Sequence, residues 1–125
     1  MSNIFRAAAA TILALHGLIH LIGPTVYLKL MELDGFAYKT TLLGGRWDLG
    51  ERGIQAFGAL WVFPAIGFLA AAAGLMLGYG WWGWVLAAST VLSLVLTALD
   101  YRVAFAGIVI NVVILLLLLI RTANV

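Results

Sequence analysis

Charge is what this chain has least of. Seven Lys and Arg and five Asp and Glu amount to 10% of its 125 residues, where a soluble domain carries about 25%. With 65% of the residues hydrophobic and a mean hydropathy of +1.13, the chain cannot cover itself with a polar surface, so its solvent must be lipid. Cysteine is absent, which excludes disulfides, thiolate metal sites and cysteine nucleophiles. The basic residues are too few and too scattered for a nucleic-acid surface. The small basic excess suits a protein that meets anionic lipid headgroups. Proline and histidine each occur only twice, as Pro24 and Pro64, His16 and His20.

A spanning helix needs about 20 mostly apolar residues. Four segments of a single domain meet that need, at about 4–30, 53–77, 81–99 and 103–120. Arg6 and Lys29 bracket the first, and Arg121 closes the last. The first segment also competes as a signal peptide, but no small-x-small cleavage site follows a short apolar run, so it is read as a helix of the mature protein. The second and third connections, Gly78-Tyr79-Gly80 and Asp100-Tyr101-Arg102, are short, and short links force sequential antiparallel packing. The expected fold is all-α, a four-helix transmembrane bundle of up-down topology. The first connection, residues 31–52, is long and holds most of the charge.

Lys29, Lys39, Arg46, Arg52 and Arg102 fall on the long-loop side, against Arg6 and Arg121 on the side of the termini. The positive-inside rule then places the loop in the cytoplasm and both termini outside. Trp81, Trp82 and Trp84 form an interfacial belt on the terminus side. Ala70, Gly74 and Gly78 form a small-xxx-small ladder that admits a close neighbour. That neighbour lies within the bundle or in a second copy, which leaves a homo-oligomer or a larger membrane complex open.

Ionisable groups within spans are costly and face the bundle interior. Both histidines lie in the run "HGLIH", and the spacing of His16 and His20 puts them on one helical face. At about 1.5 Å per residue, His20 lies roughly 13 Å inside the Lys29 end of its helix, and Asn111 roughly 12 Å inside the Arg102 end of its own. Both ends are on the loop side, so His20 and Asn111 are expected at similar depth. Gln55, Tyr27, Asp48, Glu51 and Asp100 gather nearer that side, which predicts a polar pocket open to the long loop with His16 at its floor. Gly23-Pro24 breaks the first helix above His20 and frees a carbonyl there.

Three readings of the histidines stay open. Metal or haem ligation needs more ligands than two imidazoles supply, and no metal site is assigned. Acid–base chemistry would use His16 or His20 with Asp48, Glu51 or Asp100 as partner. A structural role would tie neutral imidazoles to Asn111, a backbone carbonyl or water. In GGRWDLGER, Asp48 fits an N-terminal cap of the second helix, and Arg46 or Glu51 could instead touch a ligand.

The runs "LHGLIHLIG", "GALW" and "DYRVAFAGIVINVVIL" resemble a group of small bacterial four-helix membrane proteins, broadly DoxX-like in size and layout. The resemblance rests most on His16, His20, Asp100 and Asn111, and the long loop lies outside it. It implies the bundle fold, a membrane location and an accessory role near quinone-linked redox complexes. Two functions are expected from the residues. One is binding of an apolar molecule with a polar head, such as a lipid, isoprenoid or quinone, by His20, Asn111, Tyr27, Gln55 and Arg46. The other is an intramembrane acid–base enzyme, an isomerase, cyclase or hydrolase acting on such a molecule. No cofactor is named by the sequence.

Overall fold

A computed structural model describes residues 1–124. Its helices are α1 (Asn3–Ile19), α2 (Ile22–Tyr27), α3 (Gly50–Leu60), α4 (Val62–Leu77), α5 (Trp82–Leu99) and α6 (Tyr101–Ala123). They make four apolar helical units long enough to cross a bilayer: Asn3–Tyr27, Gly50–Leu77, Trp82–Leu99 and Tyr101–Ala123. The all-α four-helix bundle is therefore the fold, and the chain is an integral membrane protein in a lipid environment. Every span is a helix because lipid offers no partner to a free backbone amide or carbonyl.

Two of the spans are broken, each ahead of a proline. Pro24 has no N–H to give to the His20 carbonyl. That carbonyl accepts from Gly23 N at 3.3 Å instead, and the helix shifts axis between α1 and α2. Pro64 does the same to the second span, where Trp61 N donates to Gly58 O at 3.2 Å and α3 gives way to α4. The two breaks meet. A Cβ on Gly23 would stand 2.6 Å from Trp61 Cγ, and one on Gly58 would stand 2.6 Å from Tyr27 Cβ. Glycine thus lets α2 and α3 approach to backbone distance, which is how helices associate in lipid. Gly74 meets Trp81 and Trp82 in the same way, so that rung of the small-residue ladder is filled within the chain.

The long connection is folded. Thr41–Leu42 (β1) and Trp47–Asp48 (β2) pair antiparallel around a 3-10 turn at Leu43–Gly45. Gly44 has φ +67°, and a Cβ there would stand 2.5 Å from the Tyr101 hydroxyl, so the turn sits on the start of α6. Leu42 is buried with Ile54, Phe57 and Leu96, which plugs the hairpin into the loop-side core. A second apolar cluster, built on Leu13, Phe68, Ala71, Leu75 and Leu86, fills the terminus-side half. Helices α1, α4, α5 and α6 pack in sequence, each on the next. The fourth span is the least enclosed, with Asn111 its one buried residue among those described.

Candidate functional site

A polar layer lies between the two apolar clusters. His16 and His20 come from α1 and its C-terminus, Ser93 and Thr97 from α5, and Asn111 from α6; all five are buried. His20 Nδ1 donates to the His16 carbonyl at 2.7 Å, so its Nε2 is the acceptor of a neutral ring. Ser93 Oγ, 2.5 Å away, donates to that nitrogen. Asn111 Nδ2 donates to Ser93 Oγ at 2.8 Å, which leaves Asn111 Oδ1 to accept from His16 Nε2 at 3.0 Å. The bonds form a closed circuit through three spans, with one direction at every step. Thr97 checks the sense of the amide. Its hydroxyl donates to Ser93 O at 2.8 Å, so it can only accept from Asn111 Nδ2, at 3.4 Å.

The circuit corrects the expected depth. His16, not His20, stands opposite Asn111, and His20 reaches Ser93. The structural reading of the histidines accounts for three of their four ring nitrogens. His16 Nδ1 makes no hydrogen bond among the described residues and is not sealed from the surface.

Above the circuit, Asp100 caps the α5–α6 junction and is buried. It accepts from the Tyr27 hydroxyl and from Lys39 Nζ at 2.6 Å. Lys39 also donates to Thr41 O at 2.8 Å and lies over the Tyr27 ring at 5.5 Å. A buried carboxylate is tolerable only when paired and hydrogen-bonded, and the loop lysine supplies the pair. The loop is thereby latched to the bundle.

Between the first and fourth spans lies a cavity of about 230 Å³. Its walls are mostly apolar, with Ile22, Val26 and Gly107 among them, and its polar contributors are His16, His20, Tyr27, Thr97 and Asp100. Phe36 and Ala37 of the loop line it at the loop end. Ile19, Val103, Ala106 and Ile110 line it and are exposed along the seam between the spans. The cavity therefore opens sideways along this seam, toward lipid, while Ala37, also exposed, lines its loop end. Trp61 lines it too, and its buried Nε1 has no partner.

Of the residues expected at the site, His16, His20, Tyr27 and Asp100 line the cavity, and Asn111 holds His16 from behind. The structure does not bring the others in. Asp48 is exposed and accepts from Gly50 N and Thr40 Oγ1, both at 2.9 Å. Those bonds, the Gly50 amide first, hold its carboxyl below the usual aspartate range. It closes the turn that leads into α3, whose N-cap position falls on Leu49 without a side-chain cap, so the expected cap is not formed. Glu51 makes an exposed pair with Lys29 at 3.5 Å. Arg46 is exposed on the hairpin, and Gln55 is half-buried on α3 and does not line the cavity. Ser93, Thr97, Lys39 and Trp61 are site residues that sequence reasoning missed. Ser89, Ser93 and Thr97 recur every four residues with Asp100 three further on, a polar stripe on one helical face that could have disclosed two of them. Among the described residues no three His, Asp or Glu side chains cluster to hold a metal ion.

Comparison with protein-family models, curated proteins and solved structures yields no match.

Proposed function

We propose that this protein binds, from within the membrane, a small apolar molecule or the head of a longer one, such as a lipid, isoprenoid or quinone. The cavity between the first and fourth spans carries the proposal. It is apolar over most of its wall, has a few convergent polar groups, and meets lipid along a seam; that combination is the usual form of a small-molecule site. A volume of about 230 Å³ suits a ring or a short polar head, with a tail left in the bilayer. In this reading the circuit of His16, Asn111, Ser93 and His20 holds the wall rigid. The latch of Asp100, Lys39 and Tyr27 closes the loop end. The setting is a bacterial inner membrane with the loop cytoplasmic, and the DoxX-like resemblance adds an accessory role beside a quinone-linked complex.

The alternative, an acid–base enzyme, would gain support from a carboxylate that orients an imidazole. Among the described residues no hydrogen bond joins either histidine to Asp or Glu. Both Asp100 oxygens are engaged by Tyr27 and Lys39. Binding is therefore the better-supported reading.

The test is extraction in a mild detergent followed by mass spectrometry of co-purified small molecules, for the native chain and for Ala106→Trp, which fills the seam from an exposed position. The expected result is one molecular class retained at near-stoichiometric amount by the native protein and depleted at least fivefold in the variant. Equal retention by both would refute binding in this cavity.

A further inference from the structure

The hydrogen-bond directions in the polar layer say what kind of head the cavity takes. We propose that the ligand bears a hydroxyl, which donates its proton to His16 Nδ1. The inference rests on the cavity reading and narrows it to alcohols and quinols, against ethers, aldehydes and oxidised quinones.

One group in the circuit can play only one part. A backbone carbonyl only accepts, so His20 Nδ1 carries a proton toward His16 O. Among the described residues no carboxylate is bonded to either ring, and an unpaired imidazolium at this depth would be costly. Each ring is accordingly neutral, with one N–H. The direction then passes through Ser93 and Asn111 and requires the proton of His16 on Nε2. Thr97 fixes the Asn111 amide the same way round by an independent route. His16 Nδ1 is left with a bare lone pair. It has no partner among the described residues, it is not sealed, and its ring lines the cavity.

The other polar groups at the cavity also present acceptors. The Thr97 proton is committed to Ser93 O and the Tyr27 proton to Asp100. Asp100 is a carboxylate, and both His20 nitrogens are engaged. The spare donor is Trp61 N–H, but that atom is buried within the packing and meets no ligand unless the indole moves. A head that only accepts would find no donor and would leave Nδ1 dry and unpaired. A head that donates satisfies it. Buried polar groups built for one partner discriminate strongly against the analogue that lacks it.

The first measurement needs no ligand: ¹⁵N NMR of histidine-labelled protein in lipid nanodiscs, where protonated and bare ring nitrogens resonate far apart. His16 is expected as the Nε2–H form with Nδ1 bare, and a proton on Nδ1 would overturn the inference. The second adds geranylgeraniol or its methyl ether, and in a parallel arm a short-chain hydroquinone or the matching quinone. The donor of each pair is expected to bind about tenfold more tightly, the effect of one such hydrogen bond, and to shift His16 Nδ1 alone. The arm with the higher affinity distinguishes an isoprenoid alcohol from a quinol. His16→Phe should erase the preference within each pair, and because that variant could lose its fold, the tautomer measurement on the native chain stands as the independent check. Equal binding of donor and ether or quinone overturns the inference while the cavity reading survives. Binding of none of the four probes overturns both.

Discussion

Asn111 does in the bundle centre what a charged residue could not do there without a counter-charge. A neutral amide carries both a donor and an acceptor, and here each is spent on a different span: Oδ1 on His16 and Nδ2 on Ser93. Replacing it with alanine would leave the His16 N–H unpaired in a layer between two apolar clusters. Hydrogen bonds between membrane helices average only about 0.6 kcal/mol, but an orphaned buried polar group costs about 1–3 kcal/mol, so the orphan decides the outcome. Asn111→Ala is expected to destabilise by about 2 kcal/mol in reversible detergent unfolding, and a loss below about 0.5 kcal/mol would mean that water replaces the amide. His16, His20 and Asn111 were legible in the sequence because polar side chains in lipid need a reason. Their pairing was not. Depth counted from Lys29 and Arg102 along straight helices sets His20 against Asn111. The helices in fact end at Tyr27 and begin at Tyr101. Measured from those ends, His16 is eleven residues in and Asn111 ten, and the register falls on His16.

Among the elements, the broken spans carry the geometry of the site. Without the shift between α1 and α2, His20 and Tyr27 would follow one straight axis, and Gly23 would not seat against Trp61. The first break was readable from Pro24. The second was equally available from Pro64 but was hidden by the length of the apolar run, which reads as a single helix on hydropathy alone. The hairpin of the long loop was illegible for another reason. Its strands are two residues each, too short to show an alternating pattern, and its order comes from Leu42 in the core and Lys39 on Asp100. The contact of Gly23 with Trp61 gives the sharpest test at this scale. A methyl group there has 2.6 Å where it needs ordinary van der Waals room, and the obstacle is the root of a rigid indole. Overpacking of this kind costs about 1–3 kcal/mol. Gly23→Ala is expected to lower stability by that amount and to change the Trp61 fluorescence. Gly80→Ala, at a position with open space around it, should do neither.

For the molecule as a whole, the distribution of charge argues for the proposed orientation. Five of the seven basic residues are on the side of the hairpin: Lys29, Lys39, Arg46, Arg52 and Arg102. Positive charge near span ends is held back from translocation, which supports the proposed cytoplasmic loop. Lys39 is partly buried against Asp100, but that pairing forms only after the bundle has assembled, so the lysine still counts when the spans insert. Arg6 and Arg121 oppose the bias with two charges, and Arg121 lies over the Trp82 ring at 4.6 Å. The absence of cysteine makes the orientation directly measurable. Asp34→Cys places a thiol on an exposed turn of the loop, and Ser2→Cys or Thr122→Cys places one near a terminus, all at exposed positions. In intact cells, a membrane-impermeant maleimide is expected to label the two terminal variants through the periplasm and to leave Asp34→Cys unlabelled until the inner membrane is opened. The reverse pattern would put the hairpin outside. The seam between the first and fourth spans would keep its access to lipid in either case, so inversion would overturn the orientation and leave the cavity proposal standing.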